Sequence, residues 1–242
     1  MAHFYLRDDL TDAEIGAAVS VSGAEARHAV SVSRLGVGDR ISVGNGAGLV
    51  LDGVVVTAEP AEFVITVESV VRHPAASPAI WLAQALAKGD RDEQAVQQAT
   101  ELGVDGVIPW AAQRSIVKWE GNKVAKGVQR WAAIVREATK QSVRPWIPEV
   151  ADLASGALLA KLAEETRMIV LDPGAETSLG EFEPDGRDIV LVVGPEGGVS
   201  PVELSRLTAA GASVWNLGQN VLRTSTAGPA AIAVLNTRLG RW

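Results

Sequence analysis

Ile189-Val190-Leu191-Val192-Val193 runs straight into Gly194-Pro195-Glu196-Gly197-Gly198, and further on Leu222-Arg223-Thr224-Ser225-Thr226-Ala227 opens a final apolar segment. The aliphatic run has no polar position to alternate with, which predicts a strand buried on both faces. The glycines and proline behind it predict a sharp loop at the strand's carboxyl end. Two other apolar runs end in the same way. Met168-Ile169-Val170-Leu171 enters Asp172-Pro173-Gly174, and Val214-Trp215-Asn216-Leu217 enters Gly218-Gln219-Asn220-Val221. In an open α/β sheet, ligands sit outside the carboxyl ends of strands, so these three loops should converge on one pocket. The Gly194–Gly198 loop lacks the lysine and Ser/Thr of a P-loop and the spacing of a dinucleotide fingerprint, which makes a nucleotide-binding phosphotransferase a weak reading.

Outward from that core, strands and helices alternate. Ile80 to Ala85 predicts a strand. Arg91 to Leu102 predicts a helix with Ala95, Val96, Ala99 and Leu102 on one face and Gly103 as its stop. Val107 to Trp110 predicts a short strand, Lys123 to Ser142 a long helix, and Thr224 to Leu239 the last helix. Pro201 to Gly211 has proline in the first turn and glycine at the end of a helix. Such alternation implies an α/β domain with a mostly parallel sheet covered on both faces, assigned to residues 79–242. His73-Pro74-Ala75-Ala76-Ser77-Pro78 breaks the composition and is taken as a linker, residues 73–78. Residues 1–72 read as a separate β-rich unit. Gly23 to Leu35 looks helical, and Arg40–Val43, Leu49–Leu51, Gly53–Thr57 and Glu62–Val67 predict short strands between glycine turns, suggesting a small barrel.

Composition narrows the chemistry. The 242 residues include no cysteine, which excludes disulfides, thiolate metal sites and methylation through a cysteine adduct. His3, His28 and His73 have no metal-ligand spacing, so no metal is expected. The amino terminus has no apolar core of a signal peptide and no aliphatic run approaches a bilayer span, so a soluble cytoplasmic protein without membrane contact is expected. The net charge of −7 hides an asymmetry. Between Ala112 and Arg144 lie Arg114, Lys118, Lys123, Lys126, Arg130, Arg136, Lys140 and Arg144 against only Glu120 and Glu137. That is a local net of +6, leaving −13 on the rest. A basic stripe on an acidic body can hold phosphates, although charge alone favours a solvated helix face.

Taken together, the Gly194–Gly198 loop and the Leu222-Arg223-Thr224-x-Thr226-Ala227 helix start resemble the signature of SPOUT methyltransferases. More narrowly, the chain resembles the RsmE family of 16S ribosomal RNA uridine-N3 methyltransferases, nearly end to end. Lys88-Gly89-x-Arg91-x-Glu93, Thr100-Glu101-Leu102-Gly103-Val104, Arg114-Ser115 with Val117-Lys118, and Arg130-Trp131, Ile134, Glu137-Ala138, Gln141-Ser142, Arg144 and Pro148 carry the likeness. It departs at Gln98, Gln113, Gln219-Asn220 and Ser225. The resemblance implies a knotted α/β domain with a trefoil knot, an amino-terminal PUA-like barrel, S-adenosylmethionine as cofactor, and a homodimer whose subunits complete each other's sites. It implies 16S ribosomal RNA as partner, within the assembled small subunit.

Site roles follow as expectations. Uracil N3–H must lose its proton, so the site needs a base or a cation that stabilises charge on the carbonyl oxygens. Arg223 suits the cation, being a permanently charged planar fork. Glu196 is the candidate base on condition that burial raises its pKa; otherwise it caps the following helix. Leu171, Asp172, Gly194, Pro195, Gly197, Gly198, Leu217, Gly218, Leu222, Thr224, Thr226 and Ala227 are expected around the cofactor, with residues 224–226 able to serve as an N-cap. Lys88, Arg91, Arg114, Lys118, Arg130, Lys140 and Arg144 are the candidate phosphate contacts, and Trp119 and Trp131 pack more readily than they stack on bases. Rival readings are a relative acting on another RNA group, such as a ribose 2′-hydroxyl, and a non-catalytic RNA-binding or assembly factor.

Overall fold

The fold was obtained as a computed structural model, which describes residues 4–242; His3 lies outside them. Two compact units form, residues 4–75 with 139–147, and residues 76–138 with 148–242.

The first unit is built on a five-stranded sheet of order β1-β3-β4-β5-β2. Its strands are β1 (Phe4–Leu6), β2 (Ala18–Ser22), β3 (Arg40–Gly44), β4 (Leu49–Glu59) and β5 (Glu62–Arg72). Only β1 pairs in parallel. Alternation along β5 turns Phe63, Ile65 and Val67 into a core shared with Val43, Leu51 and Val55. The two pieces expected at Leu49–Leu51 and Gly53–Thr57 are one strand, because β4 absorbs its irregularity as register shifts at Asp52/Gly53 and Val55/Thr57. The expected helix from Gly23 is α1 (Gly23–Arg27) followed by a π-helical turn at His28–Val32. Thr139–Ile147, assigned above to the α/β domain, belongs to this unit. The Gly48 N–H donates to Pro145 O at 2.9 Å, the Ile147 N–H to Gly46 O at 3.0 Å, and Trp146 Nε1 to His73 O at 3.1 Å.

The second unit carries a six-stranded sheet of order β11-β9-β10-β6-β7-β8 in which every pair is parallel. The strands are β6 (Ile80–Ala85), β7 (Gly106–Trp110), β8 (Glu149–Val150), β9 (Arg167–Leu171), β10 (Ile189–Val193) and β11 (Ser213–Trp215). Helices α2 (Arg91–Glu101), α3 (Asn122–Gln141) up to Ala138, α4 (Gly156–Glu165), α5 (Pro201–Ala209) and α6 (Thr224–Arg238) complete it. Side chains of one strand parity, Ala83, Ala85, Met168, Val170, Val190 and Val192, meet Leu159 and Ala163 of α4 and Leu207 of α5. The opposite face is covered by α2 and α6. There α6 approaches β6 so closely that a Cβ on Gly228 would stand 2.8 Å from Leu82 Cδ1. Ser155 caps α4 and Ser200 caps α5, the latter in a reciprocal box with Glu203. In the order β11-β9-β10, the three strands singled out by their loops are neighbours, which is what brings those loops together.

Candidate active site

The carboxyl ends of β9, β10 and β11 open into a pocket of about 540 Å³, within the range of small-molecule sites. Leu171, Asp172 and Pro173 line it from the first loop. Gly194, Pro195, Glu196, Gly197 and Gly198 line it from the second, and Leu217, Asn220, Val221, Leu222, Arg223, Thr224 and Ala227 from the third and the start of α6. Of the residues expected around a cofactor, Gly218 and Thr226 fall outside this lining, and both are exposed. Gly218 turns away with φ +96° while its N–H donates to Asn216 Oδ1 at 2.8 Å. Thr226 is carried outward by the helical rotation that buries Thr224 and Ser225.

The glycine loop is held in shape from several sides. Its own return is tight, since a Cβ on Gly194 would lie 2.8 Å from the Val199 nitrogen. The Arg114 guanidinium donates to Gly197 O at 2.8 Å. The Glu196 carboxylate accepts the Lys88 N–H at 3.0 Å and Arg91 Nη1 at 3.1 Å. Partial burial alone would push the Glu196 carboxyl up. Its own backbone N–H, that of Lys88 and the charge of Arg91 outweigh burial and leave the pKa below the ordinary value. The condition set for Glu196 as a base is therefore not met. It does not cap α5 either, because Ser200 holds that position. Next to Arg91 in sequence, Asp92 accepts the Ala87 N–H at 3.3 Å and is itself buried, which holds its carboxyl above the usual value despite the N–H groups it accepts.

At α6 the N-cap residue is Arg223, not a hydroxyl side chain, and the first turn has no side-chain cap. Thr224 Oγ1 is engaged with Gly194 O at 2.8 Å, so the capping expected of residues 224–226 does not occur. Among the described residues no carboxylate pairs with Arg223, which stands exposed at the pocket. The lining offers apolar surface from Leu171, Pro195, Leu217 and Leu222 for a flat ring, glycine backbone for close hydrogen bonding, and one unpaired cation. Those groups fit S-adenosylmethionine.

A family described as an RNA methyltransferase domain matches residues 75–236, and one described as an RNA methyltransferase PUA domain matches residues 21–68. The chain belongs to this RNA methyltransferase family. Ribosomal RNA small subunit methyltransferase E of Mycobacterium bovis is 36% identical over 245 residues, covering 99% of this chain and 92% of that protein. The Bacillus subtilis protein of the same name is 31% identical, covering 90% and 89%. The solved structure of the Neisseria gonorrhoeae enzyme of that name, bound to S-adenosylmethionine, matches with a TM-score of 0.84 at 28% identity over 98% of each chain. A Legionella pneumophila structure described as a putative methyltransferase with bound S-adenosylmethionine matches with a TM-score of 0.85, again at 28% identity and 98% coverage of each.

In this RNA methyltransferase the basic residues expected to meet phosphate divide into two groups. Lys118 is exposed, and Lys88 is exposed with only its backbone N–H committed to Glu196. Arg91 and Arg114 grip the glycine loop. Arg130 forms a two-pronged ion pair with Glu93, with Nη2 2.7 Å from Oε2. Lys140 is almost wholly buried, its Nζ 2.9 Å from Glu25 Oε1 inside the amino-terminal unit, so it is removed from the phosphate contacts. Arg144 is half-buried in the same unit. Trp131 is buried and meets Trp119 edge to face at 5.5 Å, which is packing. Gln113 links the Arg114 loop to α5, donating its N–H to Glu203 Oε1 at 2.7 Å and accepting the Ser200 hydroxyl at 2.7 Å. Asn220 and Val221 line the methyltransferase pocket although neither was expected around the cofactor; their place in the third loop was the signal. Gln84 was passed over inside an apolar strand, where a lone polar residue was the signal to find it.

Proposed function

We propose that the chain methylates N3 of a uridine in 16S ribosomal RNA, using S-adenosylmethionine, within the assembled small subunit. The observation that carries this reading is one pocket at three adjacent strand ends with Arg223 unpaired beside it, in a chain matched nearly end to end by proteins named ribosomal RNA small subunit methyltransferase E. Leu171, Gly194, Gly197, Gly198, Leu217, Leu222 and Ala227 would hold the cofactor. When bound, S-adenosylmethionine supplies an electrophilic methyl group on a sulfonium.

Everything else falls to the chain. Arg223 holds a uracil carbonyl oxygen with its planar donors and stabilises the negative charge that spreads there once N3 has given its proton to solvent water. The backbone N–H groups of the uncapped α6 start add positive potential at the same place. Glu196, kept ionised, braces the glycine loop. The three loops that line the pocket fix the direction of attack. Lys118 and Lys88 approach the RNA backbone.

The amino-terminal unit is read as a PUA-like barrel; its five-stranded sheet and the family match over residues 21–68 support this. Family membership supports a trefoil knot at the carboxyl end and a homodimer that completes the site. Among the described residues no helix is long and apolar enough to cross a membrane, in keeping with a cytoplasmic place of action.

The test is transfer of labelled methyl from S-adenosylmethionine to purified small subunits and to naked 16S ribosomal RNA, followed by nucleoside identification. Label recovered as 3-methyluridine, with subunits preferred, is the expected result. Label in a ribose would move the target, and cofactor binding without transfer would leave a non-catalytic RNA-binding protein.

A further inference from the structure

Gln84 sits near the carboxyl end of β6, in the otherwise apolar run Ile80-Trp81-Leu82-Ala83-Gln84-Ala85, and is fully buried. A buried carboxamide is costly unless its hydrogen bonds are met, so its partners show what it does. Nε2 lies 3.1 Å from Ala85 O and 2.8 Å from Thr224 Oγ1. A peptide carbonyl only accepts, which fixes the amide with its NH₂ toward Ala85 and Thr224. Thr224 Oγ1 therefore accepts from Gln84 and sends its single proton to Gly194 O, 2.8 Å away. The result is a one-way chain, Gln84 to Thr224 to Gly194, that ties β6 to α6 and to the loop after β10.

Packing does not account for glutamine at this position. Its Oε1 is buried with no hydrogen-bond partner, a cost that methionine or leucine would spare. Both groups downstream of Gln84 line the pocket, and Arg223 directly precedes Thr224. We infer that Gln84 is a positioning residue for methyl transfer: through the Thr224 hydroxyl it sets the Gly194 carbonyl and the start of α6, and with them the placing of Arg223. This rests on the methyltransferase reading above.

Calorimetric binding of S-adenosylmethionine, with kcat and KM for methyl transfer to small subunits, tests it on the full chain. Gln84→Met is expected to weaken cofactor binding roughly tenfold, the scale of one lost buried hydrogen bond, while the fold is kept. Thr224→Val is expected to do the same, and the double variant to be no worse than either, since both break one chain. Gln84→Glu gives a readout that packing would not move. Protonated, its carboxyl has one O–H for the two acceptors the amide served, Thr224 Oγ1 and Ala85 O; ionised, it donates to neither, and the Thr224 proton turns toward it and away from Gly194. Cofactor affinity of Gln84→Glu should then fall as pH rises, with burial drawing the transition toward neutrality, where the unmodified protein shows none. This near-isosteric variant carries the test should Gln84→Met fail to fold. Wild-type affinity and turnover in Gln84→Met, strict additivity in the double variant, or a flat pH profile in Gln84→Glu would overturn the inference. Absence of cofactor binding by the unmodified protein would instead strike the methyltransferase reading itself.

Discussion

Arg91 and Glu196, 105 residues apart in sequence, meet at 3.1 Å across the mouth of the pocket. The pair makes Glu196 a brace for the glycine loop. Burial raises its pKa, but the N–H groups of Glu196 and Lys88 and the Arg91 guanidinium together bring it below the usual carboxylate value. A carboxyl depressed on folding stabilises above its unfolded pKa, and that contribution is lost only as pH falls through the folded one. Between about pH 6 and 9 Glu196 therefore stays ionised and contributes no limb to the pH–rate profile. Glu196→Gln should weaken cofactor binding several-fold and leave the profile's shape unchanged. Single-turnover methyl transfer across that range checks it; loss of a limb near neutrality in Glu196→Gln would restore the carboxylate as the base.

Arg114 and Lys118 lie four residues apart in one loop yet have different tasks. Arg114 donates to Gly197 O at 2.8 Å, whereas Lys118 is exposed. A charge-assisted hydrogen bond contributes about 1.5–3 kcal/mol, so Arg114→Ala should raise the cofactor Kd roughly tenfold or more. Lys118→Ala should leave that Kd alone and lower the slope of log K for RNA against log salt by about one. Titrations of both ligands with both variants separate the roles. A normal cofactor Kd in Arg114→Ala would return that arginine to the RNA footprint.

Local sequence made the α/β unit readable because its strands are apolar on both faces and its loops are glycine-rich. Ile80–Ala85 and Ile189–Val193 appear with the bounds expected, and α2, α3, α5 and α6 end within two residues of them. Three short edge strands were not readable: β1, β2 and β8 have two to five residues each, too few for a period to stand out, whereas β11, equally short, was marked by the glycine loop behind it. Helix α4 was missed although Ser155 marks its start. The pocket was legible because each of its loops follows a buried strand. What local pattern could not supply was which partner each charged residue takes. Arg91, Arg114, Arg130 and Lys140 read alike as free cations, and each is engaged by a group distant in sequence.

Lys140 supplies a prediction about stability. Its side chain is 9% exposed against Glu25 at 18%, and the two meet at 2.9 Å. Breaking a buried pair by removing one partner leaves the other charge uncompensated, at a cost of about 3 kcal/mol or more. Lys140→Met should lower the midpoint of thermal unfolding and leave the salt slope of RNA binding unchanged. A variant that melts normally and binds RNA less steeply with salt would place Lys140 at a phosphate after all.

Gly194 tests the loop's geometry. A methyl group there would lie 2.8 Å from the Val199 nitrogen and 3.0 Å from the Gly198 carbonyl carbon, both main-chain atoms with no rotamer to relieve the clash. Gly194→Ala should therefore displace the loop, abolish measurable cofactor binding and leave the far-ultraviolet circular dichroism unchanged, since α5 keeps its own capping box. Retained cofactor affinity would show that the pocket tolerates the shift.

Arg223 divides binding from chemistry. It lines the pocket from the N-cap of α6, and among the described residues no acid neutralises it. A donor aimed at charge that develops only during the reaction lowers kcat and leaves ground-state binding nearly untouched when removed. Arg223→Ala is therefore expected to reduce kcat by about 10²–10³ with little change in the KM for S-adenosylmethionine. Arg223→Lys keeps the charge but not the planar fork, and should recover only part of the loss. Steady-state kinetics on small subunits give both parameters. A raised KM at normal kcat would make Arg223 a cofactor contact, and normal turnover in a folded Arg223→Ala would remove it from the reaction.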